Sequence, residues 1–191
     1  MNPAYSHNRY SLKRQAIALT GKVRIYDPSK RLVLFSEQRM FKLKEDIRVY
    51  ADESKSAEVL TIRARSVIDF SAAYDVIDVA AGEKVGVLRR KGLRSMLRDE
   101  WELLDPRDAL IGVLTEDSLQ LALLRRLLSS LIPQNYDVLI GGRRAADLKQ
   151  RFNPFRYEMD LDFSMDISGG LDRRLGLAAG ILLAVVEGRQ E

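Results

Sequence analysis

The chain has 191 residues, no cysteine, one histidine and one tryptophan, with 31 Lys+Arg against 27 Asp+Glu for a net charge of +4. Hydrophobic residues make up 46%, the ordinary fraction for a folded globular protein, so wholesale disorder is excluded. The missing cysteines exclude disulfides, thiol nucleophiles and cysteine-based metal centres, and the lone His7 excludes paired-histidine metal motifs and argues against a histidine triad.

Residues 1–9 lack an apolar stretch of signal-peptide length and read as a flexible tail. Residues 10–191 read as a single domain. From residue 10 onward the pattern is that of strands. Polar and apolar residues alternate over 22–26, 46–50 and, most regularly, 157–163, where Tyr157, Met159, Leu161 and Phe163 share one face and Glu158, Asp160 and Asp162 the other. A period of two marks a half-buried strand. Segments 10–18, 32–36, 59–64, 74–79, 84–88, 101–104, 111–114, 136–140 and 145–149 complete a set of about twelve. Turn signals separate them: Asp27-Pro28-Ser29-Lys30, Asp52-Glu53-Ser54-Lys55, Ala80-Ala81-Gly82-Glu83, Asp105-Pro106-Arg107-Asp108 and Gly141-Gly142. The aspartates that end the preceding strands, Asp27, Asp52, Asp78 and Asp105, are 25, 26 and 27 residues apart. This spacing reads as a repeated hairpin.

Two helices interrupt the pattern. Residues 119–131 (LQLALLRRLLSSL) place Arg125, Arg126, Ser129 and Ser130 on one face and leucines on much of the other. This amphipathic helix suits an interfacial anchor, packing on the rest of the domain, or homo-oligomerisation through Leu124, Leu127 and Leu128. The second helix, from about residue 171 to 188, is apolar on all sides and has no face to give to water. Its apolar run of twelve residues, 175–186, covers roughly 18 Å, well short of the roughly 30 Å hydrocarbon core. Half-buried strands in this number, with one helix apolar all round, predict a mainly β fold. It is a closed antiparallel barrel of about twelve strands enclosing the C-terminal helix, because closure removes exposed sheet edges. Gly176, Ala178, Ala179, Gly180 and Ala184 keep that helix thin enough to fill the lumen.

The same order of features resembles the tubby C-terminal-like superfamily, which includes LURP-one-related proteins and phospholipid scramblases. The residues that carry the resemblance are Tyr10-Ser11-Leu12-Lys13-Arg14-Gln15, Val23-Arg24-Ile25-Tyr26-Asp27, Phe41-Lys42-Leu43-Lys44 leading into Ile47-Arg48-Val49-Tyr50, and Phe163-Ser164-Met165-Asp166. It spans roughly residues 10 to 188 and implies a twelve-stranded barrel around a central helix. It also implies a link to phosphoinositide headgroups, as in tubby domains, or to lipid and calcium, as in scramblases. The chain departs from scramblases in lacking a cysteine-rich acylation stretch and a proline-rich N-terminal region.

The densest cationic cluster is Arg89, Arg90, Lys91, Arg94 and Arg98, uninterrupted by an acid. Arginine forks suit phosphate oxygens, so these residues, extended by Lys42 and Lys44, are the expected site for anionic headgroups or phosphorylated ligands. The alternative is a structural or protein-interaction module without lipid activity. Asp160, Asp162, Asp166 and Asp172 offer hard oxygen atoms of the kind calcium takes, but their spacing is not that of an EF-hand loop. Solvated strand positions and a helix cap are the other reading. No Walker loop, GxGxxG or GxSxG is present. The chain is therefore expected to be a non-enzymatic, cytoplasmic binding module, peripheral at a membrane, with no cofactor, no metal site and no nucleic-acid partner.

Overall fold

The computed structural model describes residues 2–15, 20–39, 46–66, 72–91, 100–116, 133–153 and 155–186. Twelve strands run in chain order: β1 (Arg9–Gln15), β2 (Thr20–Tyr26), β3 (Leu32–Arg39), β4 (Ile47–Tyr50), β5 (Glu58–Ser66), β6 (Ala73–Asp78), β7 (Glu83–Arg90), β8 (Glu100–Leu104), β9 (Leu110–Glu116), β10 (Asn135–Ile140), β11 (Arg143–Arg151) and β12 (Arg156–Asp162). Each pairs antiparallel with its sequence neighbours, and β1 closes the barrel on β12 from Arg9↔Asp162 to Gln15↔Arg156. Every expected strand segment overlaps an observed one; positions 16–18 of the first lie outside the described residues. The expected amphipathic helix at 119–131, with Leu124, Leu127 and Leu128, lies outside the described residues.

The aspartate spacing has a local cause. Asp27 accepts from the Arg31 backbone N–H (2.9 Å), Asp52 from Ser54 (2.8 Å), Asp78 from Ala81 (3.0 Å), and Asp105 from Arg107 and Ala109 (2.8 and 2.9 Å). A short carboxylate that satisfies backbone donors just ahead of it turns the chain. Each of the five tight hairpins also carries a register shift next to its turn, between Ile25 and Tyr26, Val49 and Tyr50, Val76 and Ile77, Leu103 and Leu104, and Val138 and Leu139. A bulge increases local twist and bends the strand. Repeated at equivalent places, it curves the sheet toward closure.

The C-terminal helix α1 (Arg173–Val186) fills the lumen, and residues 175–185 are all buried. Its glycines face large side chains of the wall: a Cβ on Gly176 would lie 2.4 Å from Phe163, and one on Gly180 2.8 Å from Leu161. The gap left among Leu88, Trp101, Leu114, Ala179, Leu182 and Leu183 is about 10 Å³. With an apolar lining it stays dry. Trp101 is buried there.

Residues 2–8, expected as a tail, pack against the barrel. Pro3–Tyr5 form a 3-10 turn with Asn2 accepting from the Ala4 N–H (3.0 Å), and Ala4 and Tyr5 are buried. Tyr10 donates its hydroxyl to the Ala4 carbonyl (2.9 Å) and accepts from the His7 N–H (3.1 Å). His7 Nε2 lies 3.9 Å from Asp27.

Candidate functional site

Because each strand neighbours the next, the two rims of the barrel are built differently. The five tight hairpins share one rim with the N-terminal segment and the start of α1. The links from β1 to β2, β3 to β4, β5 to β6, β7 to β8, β9 to β10 and β11 to β12 share the other.

One charge cluster at the tight-turn rim holds the helix. Asp172 caps α1, accepting from the Arg174 N–H (2.9 Å), which satisfies a donor the helix itself leaves free. The Arg174 guanidinium bonds Asp78 (2.8 Å), Glu83 (2.7 Å) and Asp172 (2.7 Å). Burial alone would push the Asp78 carboxyl up, but the Arg174 hydrogen bond and the Ala81 N–H outweigh it and hold it below the usual range. Burial, then the Asp78 charge, pushes the nearby Tyr5 hydroxyl well above the ordinary tyrosine range. Arg173 stacks 4.3 Å over the Phe163 ring.

At the opposite rim, the end of β7 and the residue after it carry three of the expected site residues. Arg89 pairs with Glu102 across the ladder (2.6 Å) and Lys91 with Glu100 (2.7 Å). Arg90, on the other face of the strand, stacks 5.9 Å from the Trp101 ring. The acid-free stretch in sequence is thus bordered by two glutamates contributed by the next strand. Arg94, Arg98, Lys42 and Lys44 lie outside the described residues. The strand ends that bracket them, Arg39, Ile47, Arg90 and Glu100, all belong to this rim. Arg14, at the same end and 3% exposed, donates Nη1 to the Ala184 carbonyl (2.8 Å), placing a cation on the negative end of the helix.

A family model described as LURP-one-related matches residues 32–184, from the start of β3 to the last turns of α1. The chain belongs to the LURP-one-related family. The comparison with curated proteins returns no match. The twelve-stranded barrel around a C-terminal helix is consistent with a tubby- or scramblase-like fold. This LURP-one-related barrel includes β1 and β2, which precede the matched residues and supply the closing pair with β12. Membership is consistent with a binding module that carries out no chemical step. No helix among the described residues is long and apolar enough to cross a membrane.

The late carboxylates have structural partners. Asp160 pairs with Arg151 (2.6 Å) and Asp162 with Arg9 (2.9 Å). Asp166 accepts from the Gly170 and Leu171 N–H groups (2.8 and 2.9 Å), organising the loop that leads into α1. Among the described residues no three His, Asp or Glu side chains converge as a metal-ligand set.

Sequence reasoning did not find two features. One is a groove of about 600 Å³ along the outer face of β1, where Arg9, Lys13, Lys30 and Arg151 alternate with Asp27, Glu158 and Asp160 and Lys13 sits 5.6 Å over the Tyr26 ring. The outward positions 9, 11 and 13 were its only signal. The other is Arg14 inside the barrel, flagged only by its place in the buried series Tyr10, Leu12, Arg14.

Proposed function

We propose that this LURP-one-related barrel binds phosphate-bearing anionic ligands, and in the cell anionic phospholipid headgroups at a cytoplasmic membrane surface, through Arg89, Arg90, Lys91, Arg94, Arg98, Lys42 and Lys44. The observation that carries the reading is topological: the β3–β4 and β7–β8 links, which hold or adjoin all seven cations, leave and re-enter the barrel at one rim. The pairs Arg89–Glu102 and Lys91–Glu100 do not argue against it. Such partly exposed pairs are worth roughly 0–1 kcal/mol, so a phosphate group can exchange with a carboxylate at little cost. Arginine's rigid fork favours the phosphate.

Flotation of the full chain with mixed phosphatidylcholine–phosphatidylserine vesicles tests this. Binding is expected at low salt and lost as salt rises. Each basic residue near an anionic surface contributes about 1 kcal/mol, so replacing Arg94 and Arg98 by serine is expected to weaken partitioning on the order of tenfold or more. Adding Arg89, Arg90 and Lys91 to the set should weaken it further. Competition by a soluble inositol polyphosphate separates a free phosphate ligand from a lipid surface. Absence of binding at low salt, or partitioning unchanged when all five are serine, would end the proposal.

A further inference from the structure

The β11–β12 link, at the rim of β7's end, carries two exposed rings. Phe152 is 61% exposed and Phe155 72% exposed. Asn153 fixes this tip, accepting from the Phe155 N–H (3.0 Å) while its amide donates to Glu158 (3.4 Å). The tip is thus tied to its own turn and to β12, with both rings exposed. Arg151 and Arg156 flank it; Arg151 is paired with Asp160, and among the described residues no carboxylate pairs with Arg156. Exposed aromatic rings between arginines match a bilayer interface, with rings at the acyl boundary and guanidinium groups among the phosphates. Scattered exposed hydrophobics are ordinary, but here two large rings three positions apart are exposed on one loop whose backbone is hydrogen-bonded in place.

We infer that the β11–β12 tip is a membrane-insertion element, with Phe152 and Phe155 entering the acyl boundary of an anionic bilayer. The inference rests on the headgroup-binding reading above and adds depth and orientation to it. The barrel stands with the C-terminal end of α1 toward the membrane and the tight turns toward water. Insertion of two rings adds an apolar contribution that salt does not screen. Binding is thus expected to keep a salt-resistant remainder that depends on the phenylalanines.

The test uses the full chain with mixed phosphatidylcholine–phosphatidylserine vesicles. Phe152→Ala/Phe155→Ala is expected to weaken partitioning at least roughly tenfold while its melting curve overlays the parent's, because both side chains are exposed. Phe155→Trp is expected to be quenched by phosphatidylcholine brominated on its acyl chains. Trp101, buried inside the barrel, gives the unquenched background in the parent. A floating protein whose Phe155→Trp is not quenched, or whose alanine pair partitions like the parent, overturns insertion and leaves headgroup binding intact. Salt-insensitive partitioning lost only in the alanine pair supports insertion and overturns the role of the basic cluster. No flotation at low salt overturns both. An alanine pair that abolishes self-association in sedimentation and leaves vesicle partitioning unchanged assigns the patch to a second copy of the chain and overturns the proposal.

Discussion

Gly176→Val is expected to lower the melting temperature on the order of 10 °C. A glycine in the middle of a helix forgoes about 1 kcal/mol relative to alanine, so its presence in α1 needs a compensating gain. The gain is contact: a Cβ there would meet Phe163 Cε1 at 2.4 Å, Phe163 Cζ at 3.0 Å and Leu171 Cδ2 at 3.4 Å. The Phe163 ring has no room to retreat, because the Tyr10 ring meets it edge-on at 6.0 Å and the Arg173 guanidinium covers it at 4.3 Å. The helix cannot shift either, since residues 175–185 are enclosed by the wall. Overpacking in such a site costs about 3 kcal/mol. Phe163→Leu/Gly176→Val provides the check by thermal melts of both single variants and the pair. The smaller ring substitute frees part of the space, so the pair should lose clearly less than the two single losses combined. A Gly176→Val protein that melts with the parent would mean that α1 is not a tight plug.

The reason this contact was foreseeable is that the barrel and its plug are governed by period. Alternation in 157–163 and an all-apolar helix leave few solutions once sheet edges must be removed, and the small residues of α1 already indicated a narrow lumen. The hairpin repeat was visible for the same kind of reason: Asp27, Asp52, Asp78 and Asp105 each turn the chain through their own carboxylates. What the sequence hid are relations between distant segments. The acid-free run 89–98 gives no hint that the ladder sets Arg89 against Glu102 and Lys91 against Glu100. Nothing local marks Arg14 as the partner of the Ala184 carbonyl, 170 residues on. Residues 2–8 looked like a tail because a single 3-10 turn has no periodicity. Its order comes from Tyr10 and from burial of Tyr5. The exposed pair Phe152 and Phe155 was invisible as well, because a phenylalanine in a short link reads the same whether it points into the core or away from it.

Arg174→Met is expected to cost about 3 kcal/mol at neutral pH, the scale for removing one partner of a largely buried ion pair. Arg174 and Asp78 side chains are each only 12% exposed, and the guanidinium also serves Glu83 and the capping Asp172. Methionine keeps the length of the chain but leaves the Asp78 charge desolvated. The pH dependence identifies the cause. In the parent the folded-state pKa of Asp78 is depressed, so its stabilisation is present above the unfolded value and is lost as pH falls through the folded one. In the variant burial acts against fewer opposing hydrogen bonds, the carboxyl is pushed up, and the folded form takes up a proton more readily as pH falls. The gap between parent and variant should therefore be widest at neutral pH and shrink below about pH 4, where unfolded aspartate protonates. Urea unfolding of both proteins across that range measures it. Asp78→Asn/Arg174→Met should recover part of the loss at neutral pH, because the amide still accepts from the Ala81 N–H and carries no charge. A gap that does not change with pH, or a double variant no better than Arg174→Met alone, would mean that the arginine stabilises the rim by packing and not by neutralising Asp78.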